Sequence, residues 1–187
     1  MGKLVVTEFV TLDGVIDDPG GAEGGRGGWA FRFDRGAEGD RFKVDELTAA
    51  DAQLLGRVTY EGFAKAWPAM NGDDFGRKMN SMPKFVVSST LESAEWENTT
   101  VLRGDLSEEV GALKERFDGD VLVAGSARLA QSLFAHDLVD QLNLMVFPIL
   151  LGGGKRLFAE GAEPLPLELV ETRQAGEVSI VVYRRGR

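Results

Sequence analysis

Two short segments of this chain join a glycine to groups that bind anions, and each follows an apolar run. Gly56-Arg57-Val58-Thr59 comes directly after Leu54-Leu55, and Ala124-Gly125-Ser126-Ala127 comes directly after Val121-Leu122-Val123. A strand that ends in glycine and feeds a helix exposes the helix's unpaired N–H groups and its positive dipole end, and glycine permits close approach of a ligand. Arg57 adds a permanent charge with a planar fork suited to phosphate oxygens. Two further segments carry hydroxyls and a carboxylate: Thr11-Leu12-Asp13-Gly14, after the run Leu4 to Val10, and Ser88-Ser89-Thr90, after Phe85 to Val87. Taken singly, each segment also reads as an ordinary turn or helix cap, since Asp-Gly is a common turn pair and Arg57 can be a solvated side chain.

Together the four segments make a different case. A dinucleotide needs a diphosphate site and flanking sites for its two ends, and these segments supply them if one edge of a sheet gathers them. In a nicotinamide reductase the cofactor performs the hydride chemistry, while the protein places the ring and controls the proton. Thr11 and Asp13 are the candidate groups beside a nicotinamide, with Asp13 or a water it orders assisting protonation, or with Asp13 merely organising its own turn. Gly14, Trp29 and Phe33 are candidates for the substrate side, and Trp67 reads as core. Lys155 and Arg156, after Gly152-Gly153-Gly154, could contact a substrate phosphate or end a solvated loop. No G-x-G-x-x-G follows the first apolar run, so the usual dinucleotide fingerprint is absent.

The elements that must position these groups are legible as alternating patterns. Strand-like runs fall at Leu4 to Val10, Phe85 to Val87, Val121 to Ala124, Leu142 to Leu150 and Ser179 to Tyr183. Helix-period segments lie at Arg41 to Ala50, Val58 to Trp67, Ser107 to Phe117 and Ala127 to Leu133. Strands alternating with helices imply right-handed parallel crossovers, with helices on both faces of the sheet. Ligands of such sheets collect outside the carboxyl ends of the strands, which is where all four segments would fall. Near the end, Leu165 to Arg173 and Glu177 to Arg184 flank Gln174-Ala175-Gly176, the signal of an antiparallel hairpin. Pro19 to Gly28 holds six glycines and reads as a flexible loop.

Composition narrows the function further. With 187 residues, 43% of them hydrophobic, one domain with a real core is expected over residues 1–187. Twenty-one basic residues against 30 acidic give a net charge of -9, which repels nucleic acid. There is no cysteine and one histidine, His136, so no thiolate site, disulfide or histidine-clustered metal site is expected. The N-terminus lacks the apolar core of a signal peptide and no run is long enough to span a membrane, so the expectation is a soluble cytoplasmic protein.

Six ordered motifs resemble the dihydrofolate reductase-like family, in the group similar to the C-terminal reductase domain of the bifunctional riboflavin-biosynthesis deaminase-reductase. They are Thr11-Leu12-Asp13-Gly14-Val15-Ile16; Leu55 to Glu61; Lys84 to Leu91; Val123 to Leu129; Leu138-Val139-Asp140-Gln141-Leu142; and Pro148 to Phe158. The resemblance implies a three-layer α/β fold with a mostly parallel central sheet and a C-terminal antiparallel hairpin. It implies NADPH held by Gly56, Arg57, Val58 and Thr59, by Ser88 and Ser89 near the adenosine 2′-phosphate, and by Ala124, Gly125, Ser126 and Ala127 at the pyrophosphate. It also implies reduction of a pyrimidine ribosylamine, pterin or related carbonyl or imine, and a homodimer. The alternatives are a strict dihydrofolate reductase, whose acid could lie at Asp45 or Glu46 on the first predicted helix, and a non-catalytic nucleotide-binding protein that kept the fold. Two positions depart from the family pattern: Ala124-Gly125 stands where two adjacent glycines are frequent, and Ser89 where a basic residue is frequent. The second departure leaves recognition of a 2′-phosphate largely to Arg57. The zinc-binding H-x-E and P-C-x-x-C pattern of a deaminase partner is absent from the chain.

Overall fold

The computed structural model describes residues 1–21 and 25–186. Its elements are β1 Leu4–Thr11, α1 Gly36–Ala49, β2 Ala50–Gly56, α2 Arg57–Ala66, α3 Asp74–Ser81, β3 Lys84–Val87 and β4 Thr99–Leu102. They continue with α4 Leu106–Arg116, β5 Asp120–Ala124, α5 Ala127–Ala135, β6 Gln141–Phe147, β7 Leu167–Ala175 and β8 Val178–Arg185. All eight strands join one sheet in the order β4-β3-β2-β5-β1-β6-β8-β7. The first six are mutually parallel, and β8 and β7 close the sheet in antiparallel register. This is the dihydrofolate reductase-like arrangement with its C-terminal hairpin.

Alternation along β1 shows how the layers form. Leu4, Val6 and Val10 point to one face and pack with Val110 and Leu113 of α4 and Leu129, Ala130 and Leu133 of α5. Val5 points to the other face, into a cluster with Leu55, Tyr60, Met79 and Trp96 under α2 and α3. Beside it, Trp29, Phe42, Met145, Phe147 and Ile180 form the packing beneath α1. Helices therefore cover both faces, as parallel sheets require.

Several boundaries differ from the sequence pattern, each for a local reason. β6 stops at Phe147 and not at Leu150, because Pro148 has no N–H to continue the ladder. As the pattern for Leu142 to Leu150 suggests, Leu142, Leu144 and Met145 are buried core residues. α1 starts five residues before Arg41, at Gly36. The helix α3 is not marked by an apolar stripe; its start is fixed by Asp73, whose carboxylate accepts from Gly76 N at 2.8 Å. The four-residue β4 is too short for period-2 reading, and its place is set by pairing with β3. Lys84, fully buried at the start of β3, donates to the carbonyls of Asn80 (2.5 Å), Met82 (2.8 Å) and Glu97 (3.0 Å) and so ties α3 to β4; burial brings its ammonium down to about 8. Among the described residues no helix is long and apolar enough to cross a membrane.

Candidate functional site

Because β1, β2, β3, β5 and β6 run in parallel, their carboxyl ends share one rim, and the four candidate segments stand along it. Two of them interlock. Gly56 N donates to Ser126 Oγ at 2.9 Å, Ser126 N donates to Thr59 Oγ1 at 2.8 Å, and Ser126 Oγ donates to Ala124 O at 3.1 Å. The turn needs Gly125 at φ +57° and Ser126 at φ +60°, two consecutive left-handed residues. A Cβ at Gly125 would lie 2.9 Å from Thr59 Oγ1, so the glycine is what lets the α2 and α5 starts approach each other. Neither helix start carries a side-chain cap. The first amides of α2 and α5 therefore open side by side, with no acceptor inside their own helices. Paired helix starts of this kind offer donors and positive dipole ends to an anion. Arg57 stands at their edge, about half exposed, paired with Glu61 at 3.2 Å; so exposed a pair contributes little and leaves the guanidinium available to an anion.

The third segment lies at the end of β3. Ser88 Oγ accepts from Thr90 N at 3.2 Å and from Leu91 N at 3.0 Å, which folds the loop back, and Ser89 is exposed. Arg103, the residue after β4, donates to the carbonyls of Ser88, at 3.2 Å, and Leu91. It brings a second fixed cation to this end of the rim. Sequence reading missed it because the short strand that aims it was not recognised.

The fourth segment belongs to a closed network. Thr11 Oγ1 donates to Asp13 Oδ1 at 2.5 Å and accepts from Val15 N at 2.9 Å. The Asp13 carboxylate also accepts from Gly152 N at 2.7 Å and Leu151 N at 3.2 Å, while Arg156 donates to the Asp13 carbonyl. Asp13 thus pins the loop after β6 to the end of β1. The Thr11 hydroxyl, and after it the Gly152 amide, holds the Asp13 carboxyl down at about 2. At neutral pH Asp13 is an ionised acceptor with engaged oxygens, so the expectation that it donates a proton directly gives way to a positioning role.

The family described as RibD C-terminal domain matches residues 2–181. The chain belongs to the RibD C-terminal domain family. A relative, the uncharacterized protein YyaP of Bacillus subtilis (strain 168), is 28% identical over 191 residues, covering 98% of this chain and 96% of YyaP. Among solved structures, a putative riboflavin biosynthesis protein from Shewanella sp. PV-4 is similar in fold at TM-score 0.78 and 23% identity, covering 99% of each chain. Dihydrofolate reductase from Enterococcus faecalis, complexed with NADP(H), is similar at TM-score 0.64 and 18% identity, covering 100% of this chain and 98% of that one.

Within this RibD C-terminal domain, the remaining predicted residues separate. Gly14, at φ +83°, closes the β1 turn through its N–H to Thr11 O at 2.9 Å. Trp29 is fully buried, edge-to-face on Phe147 with centroids 5.3 Å apart, and its Nε1 donates to Asp17 O at 2.8 Å. It presents no surface to a substrate, which corrects its placement in a pocket wall. Replacing Trp29 by Ala should cost about 3–5 kcal/mol, seen as a large drop in Tm. Phe33, half-buried, packs on the other side of Phe147 at 6.1 Å. Lys155 pairs with Asp17 at 3.2 Å, half exposed on the strap that crosses the rim. Part of the Pro19 to Gly28 segment lies outside the described residues.

Two buried acids flank β1. Glu46, one of the two α1 positions where the resemblance allows an acid, accepts from Thr7 Oγ1 at 2.8 Å, from Asn143 Nδ2 at 2.7 Å and from Lys43 Nζ at 2.6 Å, and Lys43 Nζ lies over the Phe9 ring at 5.2 Å. Its neighbour Asp45 is exposed. Glu8, on the opposite face of β1, is 4% exposed. The period-2 pattern of β1 marks both faces as buried, and a carboxylate inside that run is the signal that could have singled out Glu8. A cavity of about 600 Å³ opens between α2 and residues 91–97, next to the loop after β3. Its buried groups pair with one another, Tyr60 Oη accepting from Trp96 N and Trp96 Nε1 donating to Asn80 Oδ1, while Glu61, Lys65 and Glu95 line its mouth.

Proposed function

We propose that this chain is an NADPH-dependent reductase acting on a pyrimidine ribosylamine, a pterin or a related small carbonyl or imine. The observation that carries this reading is the interlock of Gly56, Thr59, Gly125 and Ser126, which places two uncapped helix starts side by side, with Gly125 leaving Thr59 free to close against the turn. The residues fit the cofactor along its length. Gly56 to Thr59 and Ala124 to Ala127 would hold the pyrophosphate; Ser88, Ser89, Arg57 and Arg103 the 2′-phosphate end; Thr11 to Gly14 the nicotinamide end. The bound cofactor supplies the hydride.

The chain's own residues supply position and proton control. The Thr11–Asp13–Gly152 network fixes the loop that borders the nicotinamide end, and the ionised Asp13 can orient a water while keeping its own charge. In this reading the ionised Asp13 carboxylate orders the solvent that delivers the proton. A strict dihydrofolate reductase reading would take its acid from Asp45 or Glu46 of α1. Asp45 lies exposed on the outer side of the helix and Glu46 is already engaged by Thr7, Lys43 and Asn143, so the broader reductase reading is preferred.

The test is a titration of tryptophan fluorescence with NADPH and NADH, followed by a screen of NADPH oxidation against pterins, pyrimidine ribosylamines and small carbonyls. Tighter binding of NADPH is expected. Arg57→Ala and Arg103→Ala should each weaken NADPH by roughly ten- to a hundredfold, the scale of a charge-assisted hydrogen bond of about 1.5–3 kcal/mol, and NADH far less. Equal losses for both cofactors would remove these arginines from the 2′-phosphate, and no response to either cofactor would favour the non-catalytic alternative.

A further inference from the structure

Glu8 is the one acid in the β1 run, and the fold gives it an unusual place. It has the same parity as Leu4, Val6 and Val10, so it points to the α5 face, level with the turn that follows β5: the β1–β5 register pairs Thr7 with Ala124, which sets Glu8 beside Gly125. The Gly125 amide faces its carboxyl, and Oε1 has no hydrogen-bond partner. The surrounding elements offer it little else. Leu144 stands opposite on β6, and α5 presents Leu129 and Ala130; Arg128 of α5 is exposed. From α1, Lys43 favours its ionised form and Glu46 opposes it. A buried carboxylate with an orphaned oxygen is costly, and burial pushes Glu8 well above the ordinary carboxylate range, only partly offset by Gly125.

The position matters because the same turn, Gly125 to Ala127 at the start of α5, is the proposed phosphate cradle. An ionised Glu8 would set a negative charge against the inner side of that cradle, in a low-dielectric environment where like charges repel strongly. A neutral Glu8 would not. We propose that Glu8 is a positioning residue for the anion turn: its carboxyl must carry a proton for a phosphate-bearing ligand to occupy the Gly125–Ala127 turn, and its ionisation expels that ligand. The inference rests on the cofactor reading for the identity of the ligand, and on the geometry alone for the anion. By linkage, an anion in the turn must in turn hold the proton on Glu8 more tightly.

Calorimetric titrations with NADP⁺ and, separately, with inorganic pyrophosphate, run from mildly acid to alkaline pH, test this on the whole protein and on Glu8→Gln. The wild-type protein should match Glu8→Gln at the acid end and fall behind it by roughly tenfold as pH rises. Glu8→Asp should restore the fall. Titration of the ligands' own phosphates is common to all variants and cancels in the comparison. Folding gives a second readout. A carboxyl raised in the folded state stabilises fully below its unfolded value and loses that contribution as pH rises, so Glu8→Gln should have the higher Tm at neutral pH and lose that advantage in acid. Parallel binding profiles for wild type and Glu8→Gln would overturn the proposal. If pyrophosphate shows the Glu8-dependent profile and NADP⁺ does not bind at any pH, the cofactor reading fails and this inference stands; if neither anion binds, both fail.

Discussion

Gly125→Ala should weaken NADPH by on the order of a hundredfold while leaving the protein folded. The alanine must adopt φ +57°, which costs a non-glycine residue about 1–2 kcal/mol. Its Cβ would also stand 2.9 Å from Thr59 Oγ1 and 3.0 Å from Thr59 Cγ2, so either the turn or α2 must move. Any such shift breaks the Ser126 N to Thr59 Oγ1 bond and turns the first amides of α5 away from those of α2. Losing one charge-assisted contact of roughly 1.5–3 kcal/mol, about ten- to a hundredfold in affinity, accounts for the size of the effect. Equilibrium titration reads the affinity and circular dichroism the fold. Thr59→Ala removes the same hydroxyl without adding a Cβ, so its loss should be smaller. If Gly125→Ala binds NADPH as the native chain does, the cradle is not the pyrophosphate site.

Asp13→Asn should lower kcat/KM by about a hundredfold with a much smaller change in cofactor affinity. The asparagine keeps one acceptor but loses the charge that draws Thr11 Oγ1, Gly152 N and Leu151 N together, so the loop after β6 loosens over the end of β1, where the proposed reading puts the nicotinamide. Misplacement on this scale is sufficient for such losses in rate. The native carboxyl also makes a pH signature. With its value depressed to about 2, Asp13 contributes stability at pH above the ordinary carboxylate range, and that contribution disappears as pH falls toward 2. Asp13→Asn should therefore flatten the acid limb of the unfolding curve. A bell-shaped activity profile whose acid limb persists in the asparagine variant would assign the acid limb to another group. A variant with native kcat/KM would reduce the network to a local turn.

The one-rim placement of the four candidate segments was readable because it depends on local chemistry. Apolar β-branched runs bounded by glycine and hydroxyls give strands and turns, and parallel connections send every carboxyl end to the same side. Gly56, Arg57, Thr59, Gly125 and Ser126 could thus be assigned to one edge before any contact was known. Arg103 could not, because β4 is four residues long and becomes a strand only by pairing with β3. Trp29 shows the opposite failure: an aromatic after a glycine-rich loop suits a pocket wall or a core equally well, and only its full burial against Phe147 decides between them.

Residue order by itself determined the alternation of strands and helices, the C-terminal hairpin, the absence of cysteine chemistry and the kind of turn at each strand end. Tertiary structure alone decided which atoms meet. Asp13 became a fixed acceptor because amides 138 and 139 residues away close on it. Glu8 became an isolated carboxyl because α5 folds its apolar face over the strand. Patterns of polarity are properties of neighbours along the chain, whereas protonation and hydrogen bonding depend on dielectric surroundings and on partners that only folding brings within about 3 Å.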